Sequence, residues 1–243
     1  YDTVRAVMCN QAAANTISYC WQSLEGIQSH MLNFLENHDE QRIASYFFAG
    51  DHRPGIPGMI VSAMMNTNPV MIYRGMDEEG FSGRDGRTTI FDYWSVESLR
   101  KWINDWKFDG AGLTHEQREL REKYARILNV AKSEQAITQG AFFDLMYANS
   151  RNPYFNSNSQ YAFMRKYRNE VVLIVVNFDK SEQTVRVKIP SDAFLTLGFD
   201  DNKAATLTDL LTGETSISTL TAAWPYQLVL PAYSGKVLKF TYK

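Results

Sequence analysis

The densest group of reactive side chains in this sequence is Glu36-Asn37-His38-Asp39-Glu40, followed closely by Arg42. Carboxylates and an imidazole packed this tightly offer hydrogen bonds and fixed negative charge, and they cannot be buried without partners. The apolar run Met31-Leu32-Asn33-Phe34-Leu35 stops abruptly at this cluster, which reads as a buried strand ending in a functional loop. The same residues also fit an Asx-type turn closing a strand, with side chains satisfied by nearby backbone groups. A second carboxylate run, Asp77-Glu78-Glu79, reads as a solvated loop rather than an acid/base pair, because neighbouring residues need not converge. Cys9 and Cys20 have neither the number for a disulfide framework nor the spacing of a zinc site, so no metal or cofactor is expected. They read as buried free thiols, with a single disulfide as the other arrangement.

The elements that must position these groups alternate. After the first strand-like run, Pro57 stands in the first turn of an apolar helix over Gly58-Met59-Ile60-Val61-Ser62-Ala63-Met64-Met65. The turn Asn66-Thr67-Asn68-Pro69 leads to a second strand-like run, Val70–Tyr73, which again breaks into charge. Strand, helix, strand argues for a parallel sheet. The polar and aromatic stretch from Gly80 to Trp94 reads as a loop at the same end of the sheet as the first cluster. Thr114 with Gln117 forms a capping box, and Leu120, Tyr124, Ile127, Leu128 and Ala131 fall on one helical face. After about Ala136 the hydrophobic period changes to alternation. Tyr161–Arg165, Val171–Val176, Val185–Ile189, Tyr226–Leu230 and Val237–Tyr242 then predict strands, with turns at Tyr167–Glu170 and Thr212–Glu214, as in a small antiparallel sandwich.

With 243 residues and 44% hydrophobic side chains the chain can bury a sizeable core. A net charge of -2, from 25 basic and 27 acidic residues, excludes a strong field for nucleic acid or an anionic membrane. No apolar run is long enough for a membrane span, and the start Tyr1-Asp2-Thr3-Val4-Arg5 lacks the pattern of a signal peptide. Lacking an initiator Met and opening straight into an amphipathic pattern, the chain is expected to begin inside an element, with a preceding portion elsewhere. The compartment is left open.

Order and spacing carry a specific resemblance. Phe34-Leu35-Glu36-Asn37-His38-Asp39 is similar to the strand-7 motif of the α-amylase family, glycoside hydrolase family 13, whose signature there ends in Asn-His-Asp. Pro69-Val70-Met71-Ile72-Tyr73-Arg74-Gly75 resembles that family's strand 8, and a loop, a last barrel helix and an all-β domain follow in the family's order. The resemblance implies a fold of α/β plus all-β type. Residues 1–136 would be the C-terminal portion of a (β/α)8 barrel, and residues 137–243 an antiparallel β-sandwich. It further implies an α-glucan or oligosaccharide substrate. Asp39 would be the transition-state-stabilising carboxylate, His38 would donate to a ring hydroxyl, Asn37 would hold the turn, and Arg42 would either contact sugar or form a structural ion pair. Phe81, Phe91, Tyr93 and Trp94 would stack on sugar faces or pack against the barrel rim.

A complete barrel takes about 250 residues, and the family's strand-3, strand-4 and strand-5 motifs find no counterpart in this sequence. Retaining glycoside hydrolysis needs two carboxyl groups about 5–5.5 Å apart. The expectation is therefore a chain without nucleophile or general acid, inactive alone and partnered by the missing N-terminal barrel portion. Arg74 stands where the family usually has an aromatic residue, and Asp77 where it usually has Glu, so the substrate end is expected to differ. Two other functions stay open: a non-catalytic carbohydrate-binding or structural module centred on the β domain, and a transglycosylase or isomerase using the same carboxylates.

Overall fold

The computed structural model describes residues 1–24, 26–76, 86–87 and 97–243. Asp77, Glu78, Glu79, Phe81, Phe91, Tyr93 and Trp94 lie outside the described residues, as does the Gly80–Trp94 loop apart from Gly86 and Arg87.

The first part of the chain is helical around a short parallel ladder. Helices α1 (Asp2–Met8) and α2 (Thr16–Ser23) and a 3-10 turn (Gln28–His30) lead to strand β1 (Asn33–Phe34), then α3 (Gly55–Met64) and β2 (Val70–Met71). β1 and β2 pair in parallel, Asn33 opposite Val70 and Phe34 opposite Met71. This is the expected strand–helix–strand unit, with a shorter ladder than the apolar runs Met31–Leu35 and Val70–Tyr73 suggested. Met31 and Leu32 precede the ladder and are partly exposed. α3 buries residues on every side, Met59, Ile60 and Met64 completely, which is why its sequence lacks a polar face. Helix α4 (Glu97–Ile103) is followed by α5 (His115–Ser133) and α6 (Gln135–Thr138). α5 opens with the predicted box: the Thr114 hydroxyl accepts from the Gln117 amide at 3.2 Å, and the Thr114 amide donates to the Gln117 side chain at 3.0 Å. Its buried face is Leu120, Tyr124 and Ile127.

From residue 141 the chain is mainly antiparallel sheet. β3 (Ala141–Asp144), α7 (Met146–Asn149), β4 (Gln160–Tyr167), β5 (Glu170–Asn177), β6 (Gln183–Val187), α8 (Ser191–Leu197), β7 (Ala204–Asp209), β8 (Thr215–Thr219), β9 (Tyr226–Leu230) and β10 (Ser234–Thr241) follow in order. Six strands form one sheet in the order β3-β4-β5-β10-β7-β8, and β6 pairs with β9 in a second. β6 and β9 alternate as expected: Val185, Val187, Leu228 and Leu230 point inward while Arg186, Gln227 and Val229 stay in water. β4 and β5 are buried along nearly their whole length, since α3 and α6 cover them, and this explains the unbroken apolar run Val171–Val176.

One side chain fastens the helical layer to the sheet. Arg165 on β4 is 3% exposed and donates to three backbone carbonyls: Met65 at 2.7 Å beyond α3, and Ala136 at 3.2 Å and Ile137 at 2.7 Å in α6. Burial lowers its pKa to about 10. A second polar link joins α2 to the sheet, where the Asp144 carboxylate accepts from Ser18 at 2.6 Å, Trp21 at 2.8 Å and Tyr161 at 2.8 Å. Both cysteines are free and half-buried, and Cys9 donates to the Phe48 carbonyl. No helix among the described residues is long and apolar enough to cross a membrane.

Candidate active site

The cluster sits where the chain leaves the C-terminal end of β1. Leu35 and Glu36 are buried, whereas the side chains of His38 and Asp39 are 51% and 75% exposed. The switch from buried to exposed within three residues is made by Asn37. Its side-chain oxygen accepts from the amides of Asp39 at 2.8 Å and Glu40 at 2.9 Å, an Asx turn that reverses the chain. The turn holds His38 beside Asp39, with Nε2 3.3 Å from Oδ2. The Asx-turn and functional-loop readings of Asn37-His38-Asp39 are thus compatible: Asn37 forms the turn, and the turn presents the other two.

Beneath this turn is a buried ion pair. Glu36 Oε2 accepts from Arg42 Nε at 2.7 Å, and Glu36 Oε1 accepts from the Ile43 amide at 2.5 Å. Arg42 also donates through Nη2 to the Arg74 carbonyl at 2.7 Å, and its guanidinium lies 4.8 Å from the centre of the Tyr73 ring. One fully buried side chain therefore ties the segment after β1 to the segment after β2. A strap completes the frame: the Arg42 amide donates to the Gly86 carbonyl at 2.8 Å, Gln41 and Arg87 form an antiparallel bridge, and Arg87 Nε donates to the Asp39 carbonyl at 2.7 Å. Gly86, at φ +77, lies so close to Ser45 that no larger residue fits there. On the other flank Tyr1 stacks on Phe34, with centroids 5.1 Å apart, and donates to Glu40 Oε2 at 3.1 Å. Burial, then the Glu40 charge, push the Tyr1 phenol well above its ordinary range.

The sequence brought Asn37, His38, Asp39 and Arg42 into view, and the structure gathers all four at one turn. It places Arg42 under the turn at 0% exposure, on the structural side of its two expected roles. Glu36 and the Gly86-Arg87 strap were not singled out. The available signal for Glu36 was a carboxylate ending an apolar run with an arginine six residues on. Chemically, Glu36 is committed to Arg42 and Glu40 is bonded by Tyr1, which leaves Asp39 as an exposed anion beside an imidazole. Such a pair can accept and donate hydrogen bonds to hydroxyls and can favour positive charge near it. No group of three or more His, Cys, Asp or Glu side chains able to hold a metal ion occurs among the described residues.

The sheet region matches a known domain: residues 154–237 fit the sequence pattern of the maltogenic amylase C-terminal domain. Both the position of this match and its domain agree with the resemblance drawn from the Asn37-His38-Asp39 motif and the order of elements. The whole chain is similar in fold to solved amylases. A noncanonic maltogenic α-amylase from Thermotoga neapolitana superposes with TM-score 0.67 at 13% identity, covering 100% of this chain and 49% of that one. An α-amylase from Geobacillus thermoleovorans, complexed with acarbose, gives 0.64 at 15% identity over 98% and 46%. AmyP in complex with maltose gives 0.62 at 17% identity over 97% and 48%. The chain thus spans about half the length of each of these structures. No curated protein sequence matches it. The expected architecture, a barrel end followed by an antiparallel β-sandwich, is the one observed.

Proposed function

We propose that the chain forms the C-terminal portion of a retaining glycosidase acting on α-linked glucans, with the boundary between barrel end and β-sandwich at 136/137. In this reading the nucleophile and general acid belong to an N-terminal barrel portion that adds to the β1–β2 unit. The observation that carries the reading is the Asn37 turn, which holds Asp39 and His38 side by side in water, at a strand's C-terminal end, over the buried Glu36–Arg42 pair. Asp39 stabilises the oxocarbenium-like ring as charge develops, His38 donates to a sugar hydroxyl, and Arg42 positions the turn from below. The ligands of the similar structures, acarbose, maltose and maltotriose, support an oligosaccharide substrate.

The test is Asp39→Asn in the protein combined with the remaining barrel portion. Because the negative charge acts chiefly in the transition state, kcat for glycoside cleavage falls by about 100-fold or more while KM moves little. The side chain is exposed, so the melting temperature stays within a degree or two of wild type. An unchanged kcat removes Asp39 from the site.

A further inference from the structure

The six-stranded sheet ends differently on its two sides. At one side α8 packs against β3, and at the other β8 is bonded to β7 alone. The ladder fixes which way the backbone groups of β8 point. The Asp209 amide donates to the Glu214 carbonyl at 2.9 Å, and hydrogen-bonded positions alternate along an antiparallel pair. Ser216 and Ser218 therefore turn their amides and carbonyls toward β7, while Thr215, Ile217 and Thr219 turn theirs outward. Among the described residues no hydrogen bond reaches these outward groups. Bare edges recruit other strands, and proteins blunt them with Lys, Pro, bulges or cover. β6 in the small sheet has such cover: the Arg186 amide donates to the Tyr154 carbonyl at 3.1 Å, and Asn152 and Asn149 donate to the Arg186 and Lys188 carbonyls at 2.6 and 2.9 Å. β8 has none of these devices. Its residues carry no charge and no proline, its register with β7 is unbroken, and Ile217 is 72% exposed.

The sequence of this edge selects its partner. Thr215-Ser216-Ile217-Ser218-Thr219 reads the same in both directions, with Ile217 at the centre. Two such strands, set antiparallel about a two-fold axis at Ile217, place Ile217 opposite itself, Thr215 opposite Thr219 and Ser216 opposite Ser218. In that register every outward amide of one copy meets an outward carbonyl of the other. Thr–Thr and β-branched cross-strand pairs are favourable, and like charges directly opposite one another are not. The nearest charge along the strand, Glu214, falls opposite Leu220 of the other copy. Two copies of one chain bear the same charges, so a neutral edge is where they can approach without repulsion.

We propose that β8 is a homodimerisation edge, across which the six-stranded sheets of two copies join antiparallel about Ile217. The contact is isologous, the same strand serving on both sides. It does not depend on what the Asp39 site binds. Five paired residues bury less than the roughly 1,200 Å² of a stable interface, so the dimer is weak and exchanges with monomer.

The experiment is sedimentation velocity of the 243-residue protein over a concentration series. Wild type shows a reversible monomer–dimer equilibrium that salt leaves in place, since no ion pair holds it. Ile217→Pro removes an outward amide that β7 does not use, a position where an edge strand tolerates proline. Ile217→Lys sets two like charges opposite each other. Each variant weakens the dimer at least tenfold, so a folding defect in one cannot carry the result. Cysteines then read the register. Opposed residues of a hydrogen-bonded antiparallel pair have Cα atoms about 5.5 Å apart, within disulfide reach. Mild oxidation therefore links two copies of Ile217→Cys, and links Thr215→Cys to Thr219→Cys in a mixture, with the bonds located by peptide mass mapping. Thr215→Cys alone does not link to itself through that position. The proposal is overturned if wild type stays monomeric up to millimolar concentration, or if association dissolves in high salt. It is equally overturned if both Ile217→Pro and Ile217→Lys keep the wild-type dimer, for the copies would then meet through another surface, such as β1. Cross-linking of Thr215→Cys to itself as readily as Ile217→Cys would also overturn it.

Discussion

At the scale of single residues, the Asn37 turn separates two kinds of carboxylate that the sequence lists without distinction. Glu36 is buried against Arg42, and Asp39, three positions on, stands in water. Their chemistry diverges accordingly: a buried ion pair costs several kcal/mol of desolvation per ion and is tolerated only when both partners are present. Arg42→Met strands the Glu36 charge and is expected to lower stability by about 3–5 kcal/mol. Adding Glu36→Gln to it restores part of the loss. Urea unfolding of the two single variants and the pair checks this, and a loss in Arg42→Met below about 1 kcal/mol would contradict the buried-pair account. The identity of the turn was legible because Asn-His-Asp after an apolar run is a dense local signal. The division of labour inside it was not, because which carboxylate meets Arg42 depends on how the chain reverses.

At the scale of elements, local patterns were read well where they are self-contained. The α5 capping box and apolar face involve only neighbours along the chain, and the β4–β5 hairpin is closed by a two-residue turn at Arg168-Asn169. The short helices α6, α7 and α8 were missed, since four to seven residues give no periodicity to read. The strand β3 was missed too, being held by its pairing with β4 rather than by its own sequence. Element ends also set a pH limit. Just past β10, Asn169 and Tyr242 exchange backbone and side-chain hydrogen bonds that pin the strand to the β4–β5 turn. The Tyr242 hydroxyl itself is buried without a hydrogen-bond partner among the described residues, and burial, then the Asp200 charge, push its pKa up to about 12 from an ordinary value of 10.0. The unfolded phenol therefore ionises first. The stability this group contributes is complete below pH 10 and is lost as pH rises through 12. Tyr242→Phe should change stability at pH 7 by less than about 1 kcal/mol. Its urea midpoint should fall less steeply than that of wild type through the alkaline window. Parallel declines in the two proteins would remove Tyr242 from alkaline unfolding.

At the scale of the whole molecule, the helical part and the sheet meet through Arg165, whose three acceptors include Ala136 and Ile137 at the proposed boundary. The change of hydrophobic period is the ground on which that boundary is proposed, whereas an arginine within an apolar strand gives no hint that it reaches the carbonyls of two helical segments. Arg165→Met leaves three carbonyls short of a donor while relieving the buried charge, and it is expected to cost about 2–4 kcal/mol. Since the lost bonds couple the two parts, its calorimetric melt should split or broaden into two transitions. A single sharp transition of unchanged midpoint would show that Arg165 does not couple them. The strand order carries one more consequence. β10 lies between β5 and β7, bonded on both sides, yet it is synthesised after every other strand of the sheet. On the ribosome β5 and β7 must wait with an open seam between them until β10 emerges. The sheet thus closes only late in translation, and a nascent chain stalled before residue 234 presents two unsatisfied edges to the chaperones of the cell.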